Sequence, residues 1–298
     1  MPFFSIVIPT YNREEILLVA VDSILKQTFT DWELLVIDDG STDNTKARLA
    51  EFTSDPRVKY VYQDNAKESA ARNRGMAMSI GQYVCLLDSD DTFLENHLSI
   101  LFERIKQENY PVAVLHTLMT RKYTNGKLAD KQQTIAKLEG CHPIYKIWKN
   151  EVLVSSACIH KQITNEYQFR VDIFAGEDTE FFYRVALKYP IISIEEYTAI
   201  YLIHETNGDR FYNSKPMYFE NRLHYLKTLN ANPEIKAAFP AGHFEKRIAQ
   251  MNRWKATAHF NYKEKGAAIK CLLQSLGQDP STIFELNTYR DLARFIFK

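Results

Sequence analysis

Short apolar runs alternate with amphipathic segments over the first 115 residues of the chain. Strands are predicted near residues 4–8, 32–37, 58–62, 83–87 and 112–115. The run from Tyr83 to Leu87 has no polar alternation, which is typical of a central strand covered on both faces. Between the strands, apolar residues recur at helical spacing. This order predicts an α/β fold, with a mostly parallel sheet flanked by helices.

The pattern changes twice further along the chain. After about residue 115 it becomes less regular, with a further strand predicted over residues 152–159, and from about residue 215 helical segments predominate. We therefore expect one domain over residues 1–212, with halves at 1–115 and 116–212, followed by a helical region over 213–298. That region could pack on the main domain, shape the site or form a homodimer. Its end, residues 289–298, mixes basic and apolar residues; peripheral membrane contact is one interpretation, and core or subunit packing is favoured over it.

Composition narrows the classes of partner and compartment. Lysine and arginine together number 37, as do aspartate and glutamate, so no excess of positive charge indicates a nucleic-acid partner. We expect neither a signal peptide nor a membrane span, because the chain lacks a basic leader and any apolar run of 18 residues. The four cysteines form no C-x-x-C pair. Together these features favour a cytoplasmic protein with free thiols.

Three carboxylates follow the fourth predicted strand, at Asp88, Asp90 and Asp91. Open α/β sheets bind ligands at the carboxyl ends of their strands. Carboxylates this close repel one another unless a positive charge lies between them. Mg²⁺ or Mn²⁺ bound to a phosphate would supply that charge. The structural alternative is a polar turn in which Asp91 or Thr92 caps the following helix.

The ends of the first, second and fourth strands should meet at one edge of the sheet. They carry the segments 9–12, 38–39 and 88–91. Neither G-x-G-x-x-G nor a P-loop occurs, so the chain has no glycine cradle for phosphate. If it binds a nucleotide, a metal held by the acidic segment would neutralise the phosphates.

Four short motifs occur in order: SIVIPTYN at 5–12, VIDDGSTD at 36–43, AARNRG at 70–75 and LDSDD at 87–91. As a set they resemble the motif series of inverting family 2 glycosyltransferases, which have the GT-A fold. The resemblance covers roughly the first hundred residues. It implies transfer of a sugar, with inversion, from a nucleotide sugar to a hydroxyl of a glycan or lipid-linked saccharide. Bacterial surface-glycan synthesis is the context that the family implies.

The resemblance also implies roles for individual residues in the base pocket. Pro9, Thr10 and Tyr11 would line the pocket of the nucleobase, and Tyr11 can stack on a base. Asp39 matches the carboxylate that accepts the N3–H of uracil, which favours a UDP-sugar as the donor. A carboxylate suits this donor group because it offers only acceptors. Asp38, beside it, is expected to be structural.

Further along the chain, Arg72 would contact the nucleotide side of the site. Asp88 would lie near the ribose and the metal, and Asp90 would bind Mn²⁺ or Mg²⁺ directly. His204 would help to hold the metal or the diphosphate. In the same segment, Leu202 occupies the position at which many family members have arginine, so no basic contact is expected there.

A second acidic pair, Glu177 and Asp178, opens a predicted helix. Acidic residues are favoured in a first helical turn by the helix dipole, which is the structural interpretation. By resemblance, Asp178 is the catalytic base that deprotonates the acceptor hydroxyl. Two other classes are also considered: a nucleotidyltransferase, for which the usual loop rich in glycine and in lysine or arginine after the first strand is missing, and a non-catalytic nucleotide-sugar-binding protein.

Overall fold

The computed structural model describes residues 1–129, 134, 142–150, 152–203 and 215–281. The chain forms two compact units. The first contains residues 1–171 and 181–203, and the second contains residues 172–180 and 204–298. The domain boundary predicted at residues 212 and 213 falls outside the described residues, so it stays a prediction.

One eight-stranded sheet organises the first unit. Its strands are β1 (Phe4–Thr10), β2 (Trp32–Asp38), β3 (Val58–Tyr62), β4 (Tyr83–Leu86), β5 (Thr92–Phe93), β6 (Val114–Tyr123), β7 (Ala157–His160) and β8 (Ile191–Ile203). They lie in the order β3-β2-β1-β4-β7-β6-β8-β5. The half formed by β3, β2, β1 and β4 is parallel throughout, and β6 is parallel to β8. The short strands β5 and β7 pair antiparallel, so the sheet is mixed.

The helices of the described residues follow the predicted alternation. They are α1 (Ile16–Leu25), α2 (Thr45–Leu49), α3 (Glu68–Met78), α4 (His97–Gln107), α5 (Pro143–Asn150), α6 (Lys161–Glu166) and α7 (Glu177–Ala186). Every residue of β1 and β2 is buried, as expected for central strands. Helix α3 lies so close to β1 that a Cβ at Gly75 would come within 2.2 Å of a Val7 methyl group. The predicted α/β class is therefore confirmed.

Two local predictions were wrong. A strand was expected over residues 152–159, but Val154–Ser156 forms a 3₁₀ turn closed by the Ser156 hydroxyl on the Leu153 carbonyl at 2.9 Å, and β7 begins only at Ala157. Neither Asp91 nor Thr92 caps α4, because Thr92 lies in β5 and the N-cap of α4 is Asn96.

The second unit is helical, in agreement with the predicted C-terminal region. Its helices are α8 (Pro216–Ala231), α9 (Pro233–Ala237), α10 (His243–Asn261) and α11 (Lys265–Gln278). Ala256 of α10 packs with Cys271 and Leu272 of α11 in a small core. Among the described residues, we find no helix with the length and apolar character that crossing a bilayer requires.

Candidate functional site

The carboxyl ends of β1 and β2 lie at one edge of the sheet. Thr10 is paired in register with Asp38, so the residues that follow each strand leave the sheet side by side. The two loops are tied together, because Asn12 Oδ1 accepts the Thr42 N–H at 2.8 Å and the Ser41 hydroxyl accepts the Asn12 N–H at 2.9 Å. This edge is where open α/β sheets bind ligands.

A cavity of about 260 Å³ opens at this edge. Its wall consists of Pro9, Thr10, Tyr11, Arg13, Asp39, Asn65, Lys67, Glu68, Ala71 and Ser89. Four of the six residues that were predicted to bind the nucleotide, Pro9, Thr10, Tyr11 and Asp39, are in this wall. The other two, Arg72 and Asp88, are not. Whether any of them contacts a nucleotide stays a prediction.

Two hydrogen bonds from the protein fix one of the two carboxylate oxygens of Asp39. Asp39 is only 4% exposed, and its Oδ1 accepts the side-chain amide of Gln63 at 2.7 Å and the N–H of Ala66 at 2.9 Å. Within the described residues, no donor bonds to Oδ2. Gly40, with φ +87°, allows this close approach, because a Cβ there would lie 2.8 Å from the Asn65 nitrogen. Asp39 thus keeps one acceptor oxygen available at the cavity wall.

Asp38 has both carboxylate oxygens occupied by the protein. Its Oδ1 accepts the Ser41 N–H at 2.8 Å, and its Oδ2 accepts the Tyr60 hydroxyl at 2.6 Å. Burial, followed by this neighbouring carboxylate, raises the pKa of Tyr60 above its ordinary value. Asp38 therefore fixes the turn after β2, while Asp39 faces the cavity.

Two other wall residues have polar groups that suit a ligand. Thr10 is buried, and its hydroxyl oxygen has no hydrogen-bond partner within the described residues. A buried hydroxyl without a partner is costly, which makes a bound group at this point the natural partner. The ring of Tyr11 is 49% exposed beside it, so its face is accessible for stacking.

Arg72 is buried beneath the acidic segment. Its side chain is 2% exposed, and Nη2 donates to Asp88 Oδ1 at 2.7 Å and to Glu68 Oε1 at 2.6 Å. The guanidinium carbon lies 5.5 Å from the centre of the Phe169 ring. The structure therefore brings Arg72 to Asp88, and only indirectly to the cavity.

The acidic segment is held together by hydrogen bonds from both ends. The Ser155 hydroxyl accepts the Asp88 N–H at 3.0 Å, and Asp91 accepts the Leu202 N–H at 3.1 Å. Asp91 is buried. Burial first, and then the charge of Asp88, raise the pKa of the Asp91 carboxyl well above its ordinary value. Asp90 stays partly exposed, and its Oδ2 accepts a hydrogen bond from Arg13 Nη1 at 2.8 Å.

The described residues contain no group of three or more His, Cys, Asp or Glu side chains placed to hold a metal ion. Asp88 and Asp90, however, present hard oxygen ligands beside the cavity, with side chains 30% and 25% exposed. Mg²⁺ and Mn²⁺ are commonly held by one or two carboxylates, with substrate phosphates and water completing the shell. The donor set fits such a shared site. His204, the third predicted ligand, lies outside the described residues.

Asp178 is the second residue of α7 and belongs to the second unit. Its Oδ1 accepts the Thr179 N–H at 2.6 Å, which fixes the carboxylate in the first helical turn. The preceding Gly176 has φ +97°, and a Cβ there would come within 3.1 Å of the Tyr225 ring. Burial raises the pKa of Tyr225 to about 12, and the charge of Asp178 acts in the same direction. The role of Asp178 as a base stays a prediction.

Sequence reasoning did not single out two cationic wall residues, Arg13 and Lys67. Arg13 directly follows the first motif, and Lys67 directly precedes α3. Their positions next to predicted elements were the only available signal.

Comparison with known proteins gives the class of the protein. The family model described as glycosyl transferase family 2 matches residues 5–155, just over half of the chain. The chain belongs to this family.

Curated relatives agree with this assignment. A β-1,3-glucosyltransferase of Escherichia coli, WfgD, is 41% identical over 106 residues, which are 35% of this chain and 42% of that protein. The putative colanic acid glycosyl transferase WcaA of Escherichia coli is 25% identical, covering 76% of this chain and 81% of the relative. A glucosyltransferase of Campylobacter jejuni that acts on GalNAc(5)-diNAcBac-PP-undecaprenol is 26% identical, covering 93% and 89%. The chain thus spans less than half of WfgD, and 18% of a Rickettsia conorii glycosyltransferase.

Solved structures give the same fold. Staphylococcus aureus TarS, residues 1–349 in complex with UDP-GlcNAc, aligns with a TM-score of 0.65 at 20% identity, covering 100% of this chain and 88% of that one. A Pyrobaculum calidifontis mannosyltransferase with GDP-Man and Mn²⁺ aligns with a TM-score of 0.59 at 14% identity, covering 98% and 79%. At these identities the likeness shows the GT-A fold alone.

Proposed function

We propose that the protein transfers a sugar, with inversion, from a UDP-sugar to a hydroxyl of a lipid-linked saccharide or glycan. The observation that carries the proposal is the state of Asp39. One oxygen of its carboxylate is fixed by two protein donors, and the other is left at the cavity wall as an acceptor. Uracil offers a matching N3–H donor. The Thr10 hydroxyl, which has no partner in the described part of the chain, and the exposed Tyr11 ring support a nucleoside in the same cavity.

The transfer step follows from the carboxylates of the chain. Asp178 takes the proton of the acceptor hydroxyl while that oxygen forms a bond to the anomeric carbon. The bond from this carbon to the diphosphate oxygen breaks, and its electron pair leaves with the diphosphate. Attack from the face opposite the leaving group inverts the anomeric centre. A positioned carboxylate base contributes roughly 10²–10⁴-fold to the rate.

Asp90 and Asp88 would hold Mn²⁺ or Mg²⁺ together with the diphosphate. When bound, the cation neutralises the charge that grows on the departing diphosphate. Arg13 donates to the Asp90 carboxylate and also lines the cavity, so its guanidinium would be available to bind a phosphate oxygen of the donor there. His204 is retained as a proposed additional ligand from the sequence alone.

The acceptor is proposed from two relatives. The printed names of the Escherichia coli and Campylobacter jejuni glucosyltransferases specify saccharides linked to undecaprenol through diphosphate. A substrate of this kind lies in the membrane, so we propose that the enzyme works as a peripheral protein at the cytoplasmic face, in synthesis of a bacterial surface glycan.

Replacement of Asp39 by asparagine tests the nucleotide assignment. In Asp39→Asn, either the amide nitrogen faces the Gln63 and Ala66 donors, or it faces the N3–H of uracil. In either orientation the amide NH₂ faces another hydrogen-bond donor instead of an acceptor. UDP affinity should therefore fall by about 10- to 100-fold. CDP has no N3–H, so the preference for UDP over CDP should narrow in the same variant. Asp64→Asn is the control. It removes an exposed carboxylate from the loop that carries Gln63 and Ala66, Asp64 does not line the cavity, and UDP affinity should match the wild type. Unchanged UDP affinity in Asp39→Asn would remove the main support for this assignment.

A further inference from the structure

Lys67 has a backbone conformation that is unfavourable for every residue except glycine. Its φ is +73° and its ψ is 167°. Residues with a Cβ rarely adopt this region, because the Cβ crowds the adjacent backbone. Such strain persists where the surrounding structure imposes it, and it concentrates at functional sites. A glycine at position 67 would remove the strain, whereas lysine retains it.

Among the described residues, the side chain of Lys67 makes no hydrogen bond or ion pair that would offset this strain. Lys67 is the N-cap residue of α3, yet its side chain makes no capping hydrogen bond. Within the described part of the chain, its ammonium group takes part in no hydrogen bond or ion pair. Its carbonyl accepts the N–H groups of Ala70 and Ala71, both at 3.1 Å, but any residue would supply that carbonyl. The stability of α3 therefore does not explain a lysine here.

The position of Lys67 gives the explanation. Lys67 is one of the residues that line the cavity, together with Asp39 and Arg13. Arg13 is engaged by Asp90 at 2.8 Å, whereas Lys67 has no anionic partner among the described residues. An ammonium group offers three donors and no acceptor. A nucleoside diphosphate presents the complementary surface, since its carbonyl, ribose and phosphate oxygens are acceptors.

We propose that Lys67 is a donor-binding residue. Its ammonium group donates to an acceptor oxygen of the nucleotide, and this contact is the reason that a lysine occupies a position whose backbone favours glycine. The inference rests on the proposed function, because it takes the cavity to be the nucleotide site. It predicts that nucleotide affinity and fold stability change in opposite directions at this one residue.

Three substitutions at this position separate charge from backbone strain. Lys67→Ala removes the ammonium group but keeps the Cβ, Lys67→Gly removes both, and Lys67→Arg keeps the positive charge. Calorimetric titration with UDP should show roughly tenfold weaker binding in the Ala and Gly variants and near wild-type binding in the Arg variant. Thermal unfolding should show Lys67→Gly melting about 2–4 °C above the wild type, with Lys67→Ala close to the wild type.

Lys263 provides the matched control. It also has a positive φ, +63°, and it does not line the cavity. Lys263→Gly should therefore leave UDP affinity unchanged. Wild-type UDP affinity in Lys67→Gly would overturn the inference and leave the proposed function standing. Equal melting temperatures of Lys67→Gly and Lys67→Ala would also overturn it, since no strain would then be stored at this residue. If the wild type itself binds no UDP, the proposed function fails first and the inference fails with it.

Discussion

The guanidinium of Arg13 lies 2.8 Å from Oδ2 of Asp90, the carboxylate expected to bind the metal. Both side chains are partly exposed, at 33% and 25%, so the ion pair is screened by water. A cation at Asp90 must compete with this guanidinium. When no nucleotide is bound, we therefore expect Arg13 and the divalent cation to compete for the Asp90 carboxylate.

We therefore expect Arg13→Gln to bind Mn²⁺ about two- to fivefold more tightly than the wild type without nucleotide, since exposed ion pairs are worth about 0.2–1 kcal/mol. Electron paramagnetic resonance of free Mn²⁺ measures this affinity directly. Arg48→Gln, which removes an ion pair to Glu15, is the control and should bind Mn²⁺ as the wild type does. Weaker Mn²⁺ binding in Arg13→Gln would show that the two cations do not compete at Asp90.

Asp178→Asn should separate chemistry from donor binding. Asparagine has nearly the same size but cannot accept the acceptor proton, so turnover should fall by about 10²–10⁴-fold. Turnover is measured as UDP released from a UDP-sugar donor in the presence of a lipid-linked saccharide acceptor, and UDP affinity is measured in parallel. Glu177→Gln, one residue earlier in α7, is the control. Retention of more than half of the wild-type rate in Asp178→Asn would rule out this residue as the base.

Arg72→Ala should destabilise the first unit. The buried guanidinium pairs with Asp88 and Glu68, whose side chains are 30% and 56% exposed, so water can partly replace it. The loss in unfolding free energy should be about 1–3 kcal/mol, below the value for a fully buried pair. Urea denaturation of Arg72→Ala, Asp88→Asn and the double variant measures the coupling. Strictly additive losses would mean that Arg72 does not position Asp88.

Acid should weaken the fold through His97. This residue is fully buried beside the Thr198 hydroxyl, 2.7 Å away, and burial lowers the pKa of His97 to about 3. The unfolded chain, with an ordinary histidine pKa of about 6.5, binds a proton that the folded chain excludes. Stability from this group is therefore full above pH 6.5 and falls as the pH decreases toward 3.

Between pH 7 and pH 5 the expected loss from His97 is about 2 kcal/mol. His97→Gln keeps a polar group near Thr198 but does not titrate, so its unfolding free energy should fall less over the same interval. Urea denaturation of both proteins at the two pH values tests this difference. The same pH dependence in both proteins would show that His97 does not cause the loss.

Much of the fold could be predicted because buried parallel strands read as continuous apolar runs, whereas amphipathic helices repeat their apolar residues every three to four positions. The edge that gathers Thr10 and Asp39 follows from strand order, since parallel strands end on one side. The start of β7 could not be predicted, because no glycine or proline between Val152 and Ile159 marks the turn at Ser155 and Ser156. The Ser156 hydroxyl closes that turn locally on the Leu153 carbonyl, whereas the Ser155 hydroxyl accepts the Asp88 N–H, a tertiary contact that no local pattern specifies.

The arrangement of the charged residues at the cavity could not be predicted from the sequence either. The pairing of Arg13 with Asp90 joins residues 77 positions apart, and no local pattern specifies it. The strained φ of Lys67 also leaves no trace, because the residue type argues against that conformation. Such exceptions to local preference are where functional residues are expected.

Calorimetric titration of the wild-type protein with UDP and with CDP, each with and without Mn²⁺, tests the central claim most directly. The two nucleotides have the same size and charge, and uracil alone carries the N3–H donor for Asp39. We predict that UDP binds, that Mn²⁺ strengthens its binding, and that CDP binds at least about tenfold more weakly. Equal affinity for the two nucleotides, or no UDP binding either with or without Mn²⁺, would contradict the assignment of this cavity to a UDP-sugar.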